Sequence, residues 1–323
     1  MLAISTMWNA LKRPDGVALL DELKELGFDA IELSRHLAQE QVEQIKPHLA
    51  TTQICSIHNF CPVLHGFPQL QAENDPIHLA SLDADTRNEA IKQTIRTMEL
   101  AVEIEVPIVV LHLGEVDTYD RSYLMYDFYE YGEREFEAFG AKVEEVTEWR
   151  KRKEAKHQDA VLFSLDTLNE MALRMEVYLA IENRPRYHQI PNFDEVGLFL
   201  EKFKGSNMRY WHDVGHAMLQ ERVGLCWSKR WLEAYTENLI GVNLHDLKDL
   251  EAYHPPGSGD LDFEEILAQI PQGTLTVLEV RDAPAEQLVE VREEWQLWRR
   301  PEKQDGESER SEKYTIEMSE VTR

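Results

Sequence analysis

Four short apolar runs in the second half of the sequence each end on a residue able to bind a metal ion. Tyr178-Leu179-Ala180-Ile181 leads into Glu182, and Arg209-Tyr210-Trp211-His212 leads into Asp213. Ile240-Gly241-Val242-Asn243-Leu244 leads into His245, and Leu275-Thr276-Val277-Leu278 leads into Glu279. Three carboxylates brought together without a cation repel, two unit charges at 4 Å by roughly 4 kcal/mol at an effective dielectric of 20. A divalent ion removes most of that penalty, and a mixed oxygen and nitrogen set suits Mn, Mg, Co or Zn without choosing among them. Glu182, Asp213, His245 and Glu279 are therefore the expected metal ligands. His58 and His112 end two earlier apolar runs, His216 lies three residues past Asp213, and His254 sits in Tyr253-His254-Pro255-Pro256-Gly257. A lone histidine at such a place is more often a structural group than a ligand. Several that must face one small space point to additional metal or substrate contacts, with substrate contact favoured for His58 and His112.

These groups can converge only if the elements carrying them end at one place. Eight strand candidates lie near Leu2 to Ser5, Ala30 to Leu33, Ile54 to His58, Ile108 to His112, Tyr178 to Glu182, Arg209 to Asp213, Ile240 to His245 and Thr276 to Val280. Segments of helical periodicity separate them, such as Gly16 to Leu26 and Asp85 to Glu103. Continuous apolar strands alternating with amphipathic helices imply a buried parallel sheet. Eight of them suggest an α/β fold closed as a (β/α)8 TIM barrel, and no glycine-rich dinucleotide fingerprint follows the first strand. In such a barrel the strand C-termini converge on an open mouth. The expected organisation is one barrel over residues 1–298 and a flexible tail over 299–323, which is polar. A helical insertion over 117–159 separates the fourth and fifth strands. It carries Tyr119, Tyr123, Tyr126, Phe128, Tyr129 and Tyr131, which suit core packing and a substrate lid equally.

Composition narrows the partners. The 323 residues include 34 Lys+Arg against 60 Asp+Glu, a formal net charge of −26. That excess repels polyphosphate backbones and counts against DNA or RNA, though not against a small substrate drawn to a local metal site. Cys55, Cys61 and Cys226 have no zinc-ribbon or redox-pair spacing. No run approaches the ~20 apolar residues of a membrane span, and the first residues do not read as a secretory leader. A cytoplasmic protein is expected, with no membrane partner.

Glu182-Asn183, Asp213-Val214-Gly215-His216, His245-Asp246-Leu247-Lys248-Asp249, the Pro256-Gly257-Ser258-Gly259 loop with Asp262-Phe263, and Glu279 together resemble the xylose-isomerase-like TIM-barrel superfamily. The group includes sugar and sugar-phosphate isomerases and epimerases, inosose dehydratases and zinc-dependent apurinic endonucleases. The resemblance spans Met1 to about Trp298 and is strongest after Leu179. For the isomerase and epimerase branch it implies one divalent ion on Glu182, Asp213, His245 and Glu279, and a carbohydrate or related polyol as substrate. Glu182 and Glu279, on opposite sides of that substrate, would move protons to and from an enediolate. His216 would hydrogen-bond sugar oxygens and stabilise developing charge, and Arg184 and Arg281 would bind a hydroxyl, carboxylate or phosphate, a surface ion pair being the equal alternative for each. The family often dimerises and the aromatic insertion offers a surface for a homodimer, while the sequence itself leaves the oligomeric state open.

Two other enzymatic readings follow from the same resemblance. The endonuclease branch holds several zinc ions on histidines of the third and fourth strands as well as the later ligands, and His58, His112, His216 and His254 resemble that set. The aspartate expected two residues before His254 is Ala252, which weakens a third metal, although Glu251 or Asp249 could substitute. A small-molecule phosphoesterase or hydrolase with more than one Zn, or an inosose-dehydratase-like lyase, would fit. A non-catalytic scaffold would have lost a ligand or proton carrier, and none of the four is missing. Substrate choice is expected to depend on the insertion and on loops around Trp8, Glu32, Phe60 and Phe67.

Overall fold

A computed structural model describes residues 1–66, 76–132 and 137–298. Phe67 and the expected tail over 299–323 lie outside the described residues. Strands β1 (Leu2–Ser5), β2 (Ala30–Leu33), β3 (Ile54–His58), β4 (Ile108–Leu111), β5 (Tyr178–Glu182), β6 (Met208–Asp213), β7 (Leu239–Leu244) and β8 (Leu275–Leu278) form a closed barrel in sequence order. Every neighbouring pair is parallel, β8 closing onto β1 through Leu2 opposite Thr276. The (β/α)8 expectation holds.

Side chains of a strand alternate in direction, so one inward residue sets the facing of all the others. Ala3, Ala30, Val110, Ala180, Trp211 and Val277 pack together inside the barrel, whereas Ile4, Ile31, Val109, Leu179 and Ile181 belong to the layer between strands and helices. The interior thus holds one large indole among Ala, Val, Cys and Ile side chains. Trp211 lies across β7 because residue 241 is glycine: a Cβ there would meet the indole at 2.1 Å.

Helices cover the outside, and polar caps fix where several begin. Asp15 accepts from the Ala18 N–H at the start of α1 (Gly16–Glu25), and Asp83 from the Thr86 N–H at the start of α3 (Ala84–Glu103), with α2 (Gln39–Ile45) between them. Among the described residues two helices separate β4 from β5: α4 (Ser122–Glu130) and α5 (Glu137–Met175). The 39 residues of α5 are continuous, so the expected end of the insertion at residue 159 falls inside a helix. The insertion prolongs the barrel's own fourth helix instead of forming a separate body. The C-terminal part of α5 buries Val161, Leu165, Leu168 and Ala172 in the main core, while Phe139 and Val146 join Met125, Tyr187 and Val223 in a small satellite core. Buried Arg150 anchors the extension by donating to Glu195 Oε2 at 2.5 Å and Glu154 Oε2 at 2.6 Å. Glu195 belongs to the capping box that starts α6 (Phe193–Lys202). Beyond β6 come α7 (Val214–Arg222) and α8 (Ser228–Tyr235); α9 (Phe263–Gln269) follows β7 and α10 (Ala285–Trp298) follows β8. The three cysteines are buried and free, and no helix among the described residues is long and apolar enough to cross a membrane.

Candidate functional site

The alternation that fills the barrel also builds its mouth. Two residues beyond inward-facing Ala30, Val110, Ala180, Trp211 and Val277 stand Glu32, His112, Glu182, Asp213 and Glu279, and on β7 Asn243 precedes His245 by the same step. The side chains that end the strands are therefore directed to one space. Glu182, Asp213 and His245 are inaccessible, and Glu279 is 7% exposed. His112 and Glu279 lie one residue past their ladders, because β4 ends at Leu111 and β8 at Leu278.

Glu182, Asp213 and Glu279 each bring an oxygen within 4.8 Å of the other two, and Asp213, His216 and His245 form a second such group. The amide of Asn243 joins the two glutamates, its Nδ2 donating to Glu182 Oε1 at 3.2 Å and to Glu279 Oε2 at 2.9 Å. Its orientation is fixed from behind, since the Trp211 Nε1–H donates to Asn243 Oδ1 at 2.9 Å. The glutamates differ electrostatically. Burial pushes Glu182 up, but Arg184, His112 and His58 outweigh it and hold the carboxyl well below its ordinary range. Burial raises Glu279 well above that range, and Glu32, Glu182 and Asp213 add to the rise against the opposing pull of His58. Such a donor set fits a divalent cation, whose charge would offset the repulsion among the three crowded carboxylates.

Asp213 ends β6 and caps α7, its Oδ1 accepting the His216 N–H at 2.6 Å and its own N–H donating to Asn183 Oδ1 at 2.7 Å. His245 Nε2 lies 3.0 Å from Asp213 Oδ1. The next turn must pass close to that imidazole, and a Cβ at Gly215 would sit 1.8 Å from His245 Cε1. His216 Nδ1 lies 3.0 Å from the Asn183 carbonyl and so carries the proton, leaving Nε2 to accept the Tyr253 hydroxyl at 3.2 Å. Burial lowers His216 to about 4, so it is neutral at pH 7.

At β3 and β4 the surroundings are different. His112 Nε2 is 2.8 Å from Glu182 Oε2, and His58 Nε2 is 3.1 Å from His112 Nε2. These three residues form another donor group, as do Glu32, His58 and Glu279. Two guanidiniums flank His112, however: Arg35 Nη1 against its Nδ1 and Arg184 Nη1 against its Nε2. Arg184 also pairs with Glu182 Oε2 and is 8% exposed, so its ion pair is internal and not on the surface. Burial, then Arg184 and Arg35, drive His112 well below its ordinary pKa. Burial opposes protonation of His58 too, but Glu182 and Glu32 raise it to about 10.

The mouth opens into a cavity of about 750 Å³ lined by His58, His112, Glu182, Arg184, His216 and Glu279 at its base. Met7, Arg35, His36, Tyr126, Tyr253, His254 and Arg281 also line it. Tyr126 is thus the insertion's contribution, while Tyr119, Tyr123 and Tyr131 are exposed. His254 lies 3.6 Å from Glu251 Oε2 on the wall, outside every donor group found among the described residues. Arg281 places its guanidinium 4.2 Å over the Tyr253 ring. Trp8 and Phe60 belong instead to the core, Trp8 donating its indole N–H to the Ala283 carbonyl at 2.8 Å. Met7, Arg35 and His36 take the place expected for them. Asp246 is structural: Oδ1 accepts the N–H groups of Leu247 and Leu261, and Oδ2 those of Gly257 and Gly259, which folds the Pro256-to-Gly259 loop.

Asn243, Tyr253 and Arg35 are the site residues that sequence reasoning misses. Asn243 leaves a signal, a polar residue at the inward step before His245 in an apolar strand; the other two leave none.

The family model described as xylose isomerase-like TIM barrel matches residues 20–300. No curated protein matches the sequence. Among solved structures, a D-tagatose 3-epimerase-like protein is 17% identical with a TM-score of 0.60, covering 92% of this chain and 96% of its own. The 3-keto-D-glucoside 4-epimerase from E. coli is 16% identical with a TM-score of 0.62, over 90% of this chain and 98% of that one. An L-ribulose 3-epimerase is 13% identical with a TM-score of 0.64, over 100% and 99%. Identities this low carry the fold. The match of the family model over most of the sequence carries membership: the chain belongs to the xylose isomerase-like TIM barrel family.

Proposed function

We propose that the protein is a metal-dependent isomerase or epimerase of a carbohydrate, with Glu182, Asp213, His245 and Glu279 holding one divalent ion. A divalent ion there would polarise a carbonyl and its neighbouring hydroxyl, making the C–H between them easier to deprotonate. Glu182, ionised, takes that proton, and Glu279 returns one to the enediolate, on the opposite face for epimerisation or at the adjacent carbon for isomerisation. Asn243 keeps the two carboxylates aligned throughout. His216 is neutral and accepts the Tyr253 proton through Nε2, which leaves the phenol oxygen to accept a hydrogen bond from a sugar hydroxyl. Arg184, against Glu182, would supply a charged donor to the developing oxyanion. Solved sugar epimerases of the same fold agree with this reading.

The observation that carries the proposal is the buried glutamate pair, bridged by one amide and grouped with Asp213 at the ends of three barrel strands. The multi-zinc hydrolase reading is less well supported. Guanidiniums lie against both ring nitrogens of His112, Arg35 at Nδ1 and Arg184 at Nε2, and their charge opposes a cation there. At His216, Nε2 is already engaged by Tyr253. The test is deuterium incorporation from D2O into a panel of ketoses, followed by NMR. Exchange at a carbon next to the carbonyl, lost on chelation and restored by Mn or Co, supports the proposal. Metal-dependent hydrolysis of a phosphoester without any C–H exchange overturns it.

A further inference from the structure

We infer that Glu32 is a positioning residue of the proton-transfer site: it holds the His58 ring against Glu182 and acts on the reaction through that ring. The inference rests on the isomerase reading above. Glu32 is fully buried in β2, a strand whose other residues, Ala30, Ile31 and Leu33, are apolar. Among the described residues that line the cavity Glu32 does not appear, whereas His58 stands at the base. Burying a carboxylate is costly unless a partner meets it. Packing gives no reason for a glutamate here, so the reason must lie in what it touches.

The backbone is adjusted to bring that contact about. Between β2 and β3 Ile31 pairs with Ile54 but Glu32 pairs with Ser56, so Cys55 is an extra residue in β3. An insertion of this kind re-aims the side chains that follow it. Ser56 is thereby set opposite Glu32, and His58, two residues on, shares its facing. The Ser56 hydroxyl donates to Glu32 Oε2 at 2.9 Å, and Glu32 Oε1 faces His58 Nδ1 at 3.6 Å. Both of the latter atoms are buried, and neither has a hydrogen-bond partner among the described residues. A carboxylate oxygen accepts and does not donate, so Nδ1 is the proton-bearing side of the contact. The ring is thereby turned with Nε2 towards Glu182 Oε1 at 3.7 Å and His112 Nε2 at 3.1 Å. Glu182 Oε1 is also the oxygen to which Asn243 donates. His58 and Asn243 together aim the carboxylate that takes the proton. Without Glu32 the ring is free to turn, and Glu182 loses the neighbour on one side.

The test compares Glu32→Met, His58→Gln and the double variant, all metal-loaded, by proton exchange from D2O into D-fructose, D-tagatose and L-ribulose. Methionine keeps the volume and removes the acceptor, and an apolar group of similar size is commonly tolerated in place of a buried charged one. Glu32→Met should lower kcat by about 100-fold, the cost of a misplacement of about 1 Å, with KM little changed. It should keep the metal ion and add nothing to the loss in His58→Gln, because the two residues act as a unit. Its crystal structure should show the His58 ring turned away from Glu182. Should Glu32→Met fail to fold, Ser56→Ala keeps the carboxylate but releases it. That variant should lower kcat by about 10-fold, again with no further loss once His58 is replaced. Wild-type kcat in these variants, losses that multiply in the double variant, or loss of the ion would overturn the inference and leave the isomerase reading standing. No exchange by the wild type would sink the isomerase reading, and the crystal structure then decides this inference: an unmoved His58 ring overturns it, and a turned ring upholds the hold of Glu32 on His58.

Discussion

Adding one methyl group at residue 215 should remove a metal ligand without replacing it. The Cβ of Gly215→Ala would lie 1.8 Å from His245 Cε1, 2.3 Å from Nδ1 and 2.6 Å from Nε2. Ordinary contact begins at 3.4 Å, so the ring must withdraw by about 1.6 Å or α7 must lift by as much. Metal–nitrogen bonds of about 2.0–2.1 Å tolerate only a few tenths of an ångström, so a ring that withdraws ceases to be a ligand, and a lifted α7 carries its capping residue Asp213 out of place instead. The 3.0 Å contact between His245 and Asp213 is lost in both cases. We expect metal affinity to fall by at least about 100-fold, beyond the usual effect of disturbing a residue behind a ligand. Stability of the metal-free protein should fall by only about 1–3 kcal/mol, the common cost of overpacking, partly offset by the better helix propensity of alanine. Competition with a fluorescent chelator gives the affinity and urea unfolding gives the stability. A Gly215→Ala variant that binds the ion as tightly as wild type would refute the placement of His245 in the coordination sphere.

Three further outcomes follow from the same geometry. Glu182→Gln keeps the side-chain shape but removes a ligand and the proton acceptor, so turnover should vanish while the circular dichroism spectrum is unchanged; full activity would show the proton moves elsewhere. Asn243→Ala strands the Trp211 indole N–H and removes the donor shared by both glutamates, and should cost about 2–4 kcal/mol in urea unfolding. Burial, then Arg35, Arg281 and His58, lowers His36 to about 3, against an ordinary 6.5. The unfolded chain therefore binds a proton below pH 6.5 that the folded one refuses. Stability should decline by up to about 1.4 kcal/mol per pH unit from pH 6.5 towards 3. His36→Gln should flatten that decline, read as the urea midpoint at pH 7 and pH 5; an unchanged slope would contradict it.

Strand positions are legible because the barrel demands continuous apolar runs, and β1, β2, β3 and β5 begin and end where the pattern predicts. The pattern carries β8 two residues too far because Val280 is apolar for a different reason: it packs in the core as a loop residue after the ladder has ended. The end of the insertion is misplaced because the composition does change at residue 159, from the charged run Arg152 to Gln158 to the apolar run Ala160 to Leu165, while α5 continues unbroken through that change. Convergence of Glu182, Asp213, His245 and Glu279 is readable because a period of two fixes the facing of a strand's last residue. Arg35 reaches the site from a loop and Tyr253 from a short strand, Glu251–His254, paired with Asp246–Lys248; they meet His112 and His216 from distant parts of the chain, contacts that no local pattern encodes. The aspartate of His245-Asp246 looks like part of the metal motif, yet it holds four main-chain N–H groups of the loop beyond it.

The central claim is one divalent ion on Glu182, Asp213, His245 and Glu279, and metal stoichiometry tests it most directly. Elemental mass spectrometry on protein purified without a metal-binding tag should give about one Mn, Co, Mg or Zn per chain. That ion should be lost in Asp213→Asn and retained in His112→Gln, whose Nδ1 faces a guanidinium. Two or three zinc ions per chain, falling when His112 is replaced, would contradict the account and make His58 and His112 ligands of a hydrolytic cluster.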